Sequence, residues 1–181
     1  MSIITIISKK HTRVNRLVLP RDFKIYYCER IADEVSEHVE RFLSDIYQMQ
    51  FRSVGVRIPR QLAWNTEKNA YDAQLLLNSA QSEGLTFFLW LIEKSLIVNN
   101  EYVFGYGETI KGTIVSTARM ATRTLTAKEV AFHVGIVLGL KPCNEECLMK
   151  ETESFEVLIQ KPSTLCNTCA VKFQRVKMRH M

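Results

Sequence analysis

The sequence predicts a single mixed α/β (α+β) domain in which helices pack against a sheet. Segments typical of strands and helices roughly alternate along the 181 residues, and no internal repeat or linker divides them. With 46% hydrophobic and 24% charged residues, the composition excludes a disordered chain, and no apolar run reaches the roughly 20 residues of a transmembrane helix. Within this one domain (1–181), we expect a sheet-and-helix part (1–142), a cysteine-bearing segment (143–170) and a basic tail (171–181).

The first third of the chain predicts three strands and one long helix. Residues 1–10 and Phe23–Tyr27 have the apolar composition of strands, and residues 54–58 alternate in polarity before Pro59 stops the strand. Between Glu29 and Met49, apolar residues recur every three or four positions opposite an acidic face, which predicts an amphipathic helix. This helix is expected to back the sheet.

The middle of the chain predicts a second helix, followed by the central strands. The helix extends from about Glu67 to Ser82. The segment Leu85–Ile92 is short, apolar and aromatic, which is typical of a strand buried on both faces. Tyr102–Phe104 and Thr113–Ser116 are expected to be strands on either side of a turn at Gly105–Gly107.

A buried helix is predicted around residue 130. Thr126 and Glu129 have the spacing of a capping box, in which the hydroxyl caps the helix and the carboxylate returns to the threonine amide. Residues 130–140 are apolar nearly all round, so this helix should be buried. Pro142 should end it.

Four cysteines form two closely spaced pairs, Cys143 with Cys147 and Cys166 with Cys169. Two such pairs can close a tetrahedron of thiolates around one Zn²⁺, and in a cytosolic chain they favour a metal over disulfides. Two other interpretations stay open, namely four incidental thiols or a redox pair at Cys166 and Cys169. Cys28 has no partner in the sequence and is expected to be buried as a small apolar residue.

The net charge of +5 is concentrated near the C-terminus. Lys172, Arg175, Lys177 and Arg179 carry positive charge there without an intervening acid. A nucleic-acid-binding face usually has a broader basic stripe, so we expect a solvated or loosely docked tail rather than a phosphate-binding arm. Because the N-terminus lacks the basic region of a signal peptide, the sequence predicts a cytoplasmic protein.

A set of short motifs in the last third of the chain follows a known pattern. They are Lys128-Glu129, Leu138-Gly-Leu-Lys141, Pro142-Cys143, Cys147-Leu-Met149 and Cys166-Asn-Thr-Cys169. Over residues 24–173 the chain resembles the archaemetzincins, a metzincin-clan family of zinc peptidases from archaea and some eukaryotes. The resemblance implies a metzincin-like mixed twisted sheet with a backing helix and an active-site-type helix. An irregular C-terminal segment would follow, in which the four cysteines hold a structural zinc.

The chain departs from the family pattern H-E-x-x-H-x-x-G-x-x-H-C at the residues that would hold a catalytic zinc. With Gly139 aligned, Phe132, Ile136 and Pro142 replace the three zinc histidines, and His133 replaces the glutamate general base. The three replacement side chains have no lone pair for a metal, and a catalytic zinc needs about three protein ligands. The resemblance therefore implies one structural zinc, an absent catalytic zinc and no catalytic residue at this site.

Met149 and the histidines of the chain are not expected to bind a catalytic metal. Met149 matches a methionine that lies beneath the catalytic zinc in the family, and without that metal it is expected in the core. His133 alone does not make a zinc site, and nothing in the sequence brings His11, His38 or His180 near it. His38 lies between acidic residues and is expected to be exposed.

Three functions compete at this point. The first is a catalytically silent pseudoenzyme that keeps its structural zinc and binds a peptide or protein in the cleft as an added strand. The second is an active zinc metallopeptidase or aminopeptidase-like hydrolase with a non-standard site. A thiol mechanism there would need a cysteine free of zinc, and only Cys28 qualifies. The third is a nucleic-acid binder that uses the basic tail, with Phe173 and Met178 as stacking or wedge residues.

Overall fold

A five-stranded mixed sheet lies at the centre of the protein. The computed structural model describes residues 19–20, 22–28 and 33–178. The strands are β1 (Asp22–Tyr27), β2 (Gln50–Val56), β3 (Trp64–Asn65), β4 (Ala70–Asp72), β5 (Phe88–Ile92), β6 (Ser95–Val98), β7 (Glu101–Val103), β8 (Gly105–Glu108) and β9 (Gly112–Ser116). The helices are α1 (Asp33–Tyr47), α2 (Ala73–Ser82), α3 (Arg123–Val137), α4 (Phe155–Gln160) and α5 (Asn167–Met178), with a 3₁₀ turn at Gln61–Ala63.

The central sheet has the strand order β2-β1-β5-β9-β8. Its first four strands are parallel and β8 runs antiparallel to β9 at one edge. The five residues of β5 are all buried, which confirms the prediction of a strand covered on both faces. A smaller sheet has the order β3-β4-β6-β7. No helix of the described residues is long and apolar enough to cross a membrane.

The two faces of the central sheet are covered by different helices. On one face, α1 and α3 pack with β1 and with the cysteine-bearing segment in one buried cluster. On the other face, α2 and the smaller sheet pack against Phe88, Trp90 and Ile114. The mixed α/β class, the backing helix α1 and the buried helix α3 are therefore as the sequence predicts.

The helix predicted from Glu67 to Ser82 is only half correct. Its first part forms the turn and the second strand of the β3–β4 hairpin, and this turn includes Asn69 at a φ of 48°. Helix α2 begins after Asp72, whose carboxylate accepts a hydrogen bond from the Leu75 amide. This cap sets the helix start where the apolar spacing alone could not.

The glycines at 105 and 107 were expected in a turn, and this prediction is wrong. Both lie within β8, and the chain reverses instead around Ile110, which has a φ of 72°. A Cβ at Gly105 would lie 2.6 Å from the His133 Nε2 atom, so this glycine allows the strand to approach α3 closely. Strand β6 was not predicted.

Strand β2 begins earlier than predicted and lies at one edge of the central sheet as far as the described residues show. It starts at Gln50 and ends at Val56, before Ile58. Val54 and Val56 alternate as the sequence suggested, yet they are 42% and 59% exposed because β2 pairs with β1 alone among the described strands.

Both predicted ends of the active-site-type helix α3 are wrong. Thr122, not Thr126, is the N-cap, and its side chain accepts a hydrogen bond from the Leu125 amide. At the other end, Gly139 has a φ of 92° and stops the helix before Pro142. The amides of Gly139 and Leu140 donate to the carbonyls of Ile136 and Gly135, the pairing of a Schellman motif.

The cysteine-bearing segment is less irregular than expected. It contains α4, and α5 begins inside it and continues through most of the basic tail to Met178. The predicted strand at residues 1–10, the first four residues of the predicted Glu29–Met49 helix and Arg179 lie outside the described residues.

Gly135 lets α3 pack tightly, and its replacement should be costly. A Cβ there would lie 2.5 Å from the Met149 sulfur and 2.7 Å from the Tyr47 hydroxyl. We expect Gly135→Ala to lower the free energy of unfolding by about 1–3 kcal/mol despite the better helix propensity of alanine. Chemical denaturation measures this change. In a Tyr47→Phe background, which removes one of the two clashes, the same substitution should cost less, and an equal or larger cost would contradict the packing argument.

Candidate functional site

The four predicted cysteines come together in one cluster, which we call the cysteine quartet (Cys143, Cys147, Cys166 and Cys169). Cys143 follows the glycine-terminated end of α3, Cys166 directly precedes α5, and Cys169 lies in the first turn of α5. The four sulfur atoms lie within 4.8 Å of one another. Segments far apart in sequence thus place four thiols around one point.

Backbone amides point at the sulfur atoms of the quartet. Cys147 Sγ accepts from the amides of Cys166 (3.2 Å) and Met149 (3.4 Å), and Cys166 Sγ accepts from the amide of Cys169 (3.5 Å). Burial raises the pKa of the Cys147 thiol, but these amides, together with hydrogen bonds from the Cys166 and Cys169 side chains, hold the pKa below its usual value. For Cys169, burial and the neighbouring thiols raise the pKa. Four thiolates at this distance therefore need a cation between them.

The geometry of the quartet fits zinc. A tetrahedron with a Zn–S distance of about 2.3 Å has sulfur atoms about 3.8 Å apart, and Cys143 Sγ and Cys166 Sγ lie 3.8 Å apart. A disulfide bond would require about 2.05 Å, and all five cysteines are free. Four protein ligands would leave no position for water, so the bound ion would stabilise the fold rather than activate a nucleophile.

Three of the four residues at the positions of the family's zinc ligands and general base lie on α3, and the fourth follows the helix. Phe132, His133 and Ile136 are buried, whereas Pro142 is exposed in the loop after the helix. His133 Nε2 lies 3.1 Å from Glu129 Oε1, and because a carboxylate only accepts, the imidazole N–H donates. Among the described residues, the cysteine quartet is the one group of three or more His, Cys, Asp or Glu side chains arranged to hold a metal.

Glu129 is the centre of a fully buried polar network. Its Oε2 atom accepts from the Thr152 hydroxyl at 2.6 Å and from the Lys161 ammonium at 3.4 Å. Lys161 also donates to Thr152, and its Nζ atom lies 4.3 Å from the centre of the Phe132 ring. Every polar group named here is at most 1% exposed. We call Glu129, His133, Thr152 and Lys161 the Glu129 network.

The network keeps the Glu129 carboxylate ionised. Burial alone would raise its pKa, but the charge of Lys161 and the hydrogen bonds from His133 and Thr152 lower the pKa to about 2. Burial lowers the pKa of Lys161, and the Glu129 carboxylate opposes that shift. The Glu129 carboxylate and the Lys161 ammonium thus lie opposite each other as a buried salt bridge, with 3.4 Å between Oε2 and Nζ.

Sequence reasoning missed this network. It gave Glu129 to a capping box and assigned no role to Thr152 or Lys161. The available signal was the pair Glu129 and His133, four residues apart on a helix that is otherwise apolar all round. Buried ionisable groups need partners, so this pair implied a cation elsewhere in the chain.

The remaining predicted residues are mostly in the core. Met149 is buried, with its sulfur 3.9 Å from the Tyr47 hydroxyl. Cys28 is buried as expected, and its sulfur accepts from the Glu93 amide at 3.2 Å. His38 is half-buried rather than exposed, because it lies against Phe42. His11 and His180 lie outside the described residues.

Comparison with known proteins identifies the family. Residues 122–175 match the sequence pattern of Peptidase family M54. The archaemetzincin of Nanoarchaeum equitans is 30% identical over 149 residues, which cover 80% of this chain and 86% of that protein. The chain belongs to the archaemetzincin family. The archaemetzincin of Archaeoglobus fulgidus is 32% identical over 120 residues, or 61% of this chain and 73% of that protein.

Solved archaemetzincin structures have the same fold. The crystal structure from Archaeoglobus fulgidus has a TM-score of 0.75 at 22% identity and covers 83% of this chain. The one from Methanopyrus kandleri has a TM-score of 0.77 at 19% identity and covers 89%. This chain covers 99% of each of them. The metzincin-like fold is therefore confirmed, and zinc is the metal expected of this family, for which the quartet provides suitable ligands.

Loss of one quartet thiol should release zinc from this archaemetzincin. We expect Cys166→Ser to lower the zinc content from about one ion per chain to near zero and to lower the melting temperature, because metal binding contributes directly to folding. Elemental analysis and thermal unfolding measure both effects. Cys28→Ser is the matched control, since Cys28 lies outside the quartet, and it should keep its zinc. Equal zinc content in both variants would contradict the assignment of ligands.

The Glu129–Lys161 ion pair predicts a strong asymmetry between single and double substitutions. Lys161→Met alone should lower the free energy of unfolding by about 3–5 kcal/mol, because it leaves a buried carboxylate without its cation. Adding Glu129→Gln should restore most of that loss, since no buried charge then remains unpaired. Urea denaturation of the wild type, the two single variants and the double variant measures the four free energies of unfolding.

Acid titration provides the control for this ion pair. The folded-state pKa of Glu129, about 2, lies below its ordinary value of 4.5, so the stabilisation is complete above pH 4.5 and is lost as the pH falls towards 2. Over that range the wild type should lose more stability than Glu129→Gln. Parallel pH profiles for the two proteins would show that folding does not lower the pKa of Glu129.

Proposed function

We propose that this archaemetzincin keeps a structural zinc, lacks peptidase chemistry and acts as a peptide- or protein-binding module. The observation that carries the proposal is the set of side chains on α3 and beyond it. Phe132, Ile136 and Pro142 stand at the positions that the family pattern gives to zinc ligands. None of them has a side-chain lone pair, and a catalytic zinc needs about three protein ligands and an open water position.

The surroundings of His133 also argue against the standard mechanism. In the family pattern its position belongs to the general base, which takes a proton from the attacking water. Here His133 is buried, and its Nε2 atom donates to Glu129. Without a metal, water keeps a pKa near about 15.7 and gives no hydroxide at neutral pH. A general base alone would not replace the activation of water by a metal ion.

The alternatives gain no support from the described residues. A thiol hydrolase would need an accessible nucleophile, and Cys28 is 7% exposed with its sulfur engaged by the Glu93 amide. A nucleic-acid binder would need stacking residues, and Phe173 is buried against Tyr47 with ring centres 5.1 Å apart. Met178 is exposed, but an aliphatic thioether offers no aromatic face for a base.

The ligand-binding part of the proposal concerns the exposed edge of the sheet. At the β8 edge, beside α3, Gly105, Tyr106 and Gly107 are buried, which leaves little room for an added strand. At the β2 edge, the apolar side chains are exposed, and they continue into Ile58 and Leu62, which are 80% and 88% exposed. A groove of about 280 Å³ lies between the 3₁₀ turn and α2. We place the ligand along β2 and this groove.

A peptide-cleavage assay tests the catalytic part of the proposal. Wild-type protein with added Zn²⁺ is incubated with a mixed-sequence peptide library, and products are identified by mass spectrometry beside an active zinc peptidase. We expect no cleavage above the buffer control. Cleavage that a chelator abolishes would overturn the proposal in favour of a zinc peptidase. Cleavage that survives chelation and is lost in Cys28→Ser would establish a thiol hydrolase instead.

A further inference from the structure

One side of the edge strands β1 and β2 carries positive side chains. Alternate residues of a strand point to opposite sides of the sheet. Phe23 and Phe51 pack in the cluster that contains α1 and α3, so their neighbours Lys24 and Arg52 point to the other side, which is the side of α2. Lys24 and Arg52 lie opposite each other in the register of the two strands, and both are exposed.

Two more arginines continue this positive surface towards α2. The Arg57 guanidinium lies over the rings of Tyr26 and Trp90, at 5.9 and 5.0 Å from their centres, and Arg60 lines the groove beside α2. Glu83 forms ion pairs with both arginines, at 2.6 and 2.8 Å, and so offsets one of the two charges. We call this set the cationic row (Lys24, Arg52, Arg57 and Arg60).

The cationic row is not fully compensated by the protein. The strands of Lys24 and Arg52 are about 4.8 Å apart, so two like charges face each other. Asp22 points to the same side of β1, yet among the described residues no carboxylate forms an ion pair with either cation. The Arg57 Nε atom is buried and has no hydrogen-bond partner in the described part of the chain. These three groups favour a negatively charged ligand on this side.

The opposite side of β2 has a different chemistry. Val56 is the register partner of Tyr27, which packs in the cluster with α1, and Val56 is 59% exposed. Ile58 follows two residues later and is 80% exposed. On this side the Ser53 amide donates to Glu40 Oε1 at 3.0 Å, and a main-chain carbonyl of an added strand would replace that acceptor. A strand added to β2 would therefore meet cations on one side, and apolar side chains with a carboxylate on the other.

Charge complementarity selects the occupant of this edge. A second copy of β2 would bring its own Arg52 and Arg57 to the edge, and residues 1–10 contain two lysines and no carboxylate. Both would add positive charge beside the cationic row. A nucleic acid would match the charge, but the neighbouring ring of Tyr26 is half-buried beneath Arg57 rather than open to a base.

We propose that the ligand of the β2 edge is an extended peptide segment in which acidic residues alternate with apolar ones. Its acidic side chains contact the cationic row, and its apolar side chains contact Val56 and Ile58 on the other side. The inference rests on the proposed function, because it names the chemistry of the ligand that the binding module takes.

Three labelled synthetic peptides of equal length test this assignment. The first alternates Glu and Val, the second has the same residues in two separate blocks, and the third alternates Lys and Val. Fluorescence anisotropy measures their binding to the wild-type protein at low and at high salt. We expect the alternating acidic peptide to bind about tenfold more tightly than the other two, with an affinity that falls as the salt concentration rises.

Charge reversal locates the contact on the protein. Lys24→Glu together with Arg52→Glu should transfer the preference to the alternating lysine peptide, which is a gain of binding that an unfolded chain would not show. The matched control is Lys172→Glu together with Arg175→Glu on α5, which makes the same change in net charge. It should keep the preference of the wild type.

Each other outcome overturns the inference. No binding of the alternating acidic peptide would mean that a second copy or another part of the chain closes the edge. Equal binding of the alternating and block peptides would mean that side-chain alternation is not recognised, and a single-stranded DNA that binds more tightly and displaces the peptide would assign the row to nucleic acid. The same loss of preference in both double variants would place the ligand elsewhere.

Failure of the proposed function has a separate signature. Mass spectrometry of the peptides after the binding measurement shows whether any of them has been cut. Cleavage would contradict the proposed function, whereas intact peptides of which the block or the lysine peptide binds best would overturn only the assignment of an alternating acidic ligand.

Discussion

Four thiols within 4.8 Å of one another determine how the last third of the chain is arranged. Their charges cannot accumulate at that distance without a cation, so a zinc ion would bind the end of α3 to the start of α5 and enclose the chain between them. That enclosed chain carries α4, Thr152 and Lys161, which complete the Glu129 network. Tyr47 of α1 contacts both regions, since its hydroxyl donates to the Ala131 carbonyl and its ring packs on Phe173 of α5. The quartet therefore positions the residues that pack against α3 around Glu129.

The two polar centres of the protein are built on opposite principles. In the quartet, soft sulfur ligands surround a point and leave a metal to supply the charge. In the Glu129 network, the cation is a side chain, and the acceptors are a carboxylate and a hydroxyl. The first centre would take its positive charge from a bound ion, whereas the second has its own in Lys161. This division is consistent with the replacement of the zinc histidines by Phe132, Ile136 and Pro142 while all four cysteines remain.

Patterns of neighbouring residues predicted the elements whose formation depends on residues close together in the sequence. The apolar run of β5, the buried face of α3 and the spacing of the cysteines were all visible in the sequence, because burial and short-range metal ligation leave periodic signals. Gly105 was assigned to a turn because its real purpose, a close approach to His133, depends on a partner 28 residues away. Lys161 was overlooked for the same reason, since it meets Glu129 across 32 residues. The number of residues that separates two such tertiary partners follows no fixed rule, so the sequence pattern does not reveal the contact.

The central claim is that this protein binds zinc through sulfur alone. Zinc K-edge X-ray absorption of wild-type protein, purified without added metal, tests it most directly because the spectrum reports both the ligand type and the bond length. The account predicts one zinc per chain with four sulfur neighbours at about 2.3 Å and no nitrogen or oxygen neighbour. Histidine scattering at about 2.0 Å, or a mean coordination of mixed sulfur and nitrogen, would show a second, catalytic-type site and would contradict it.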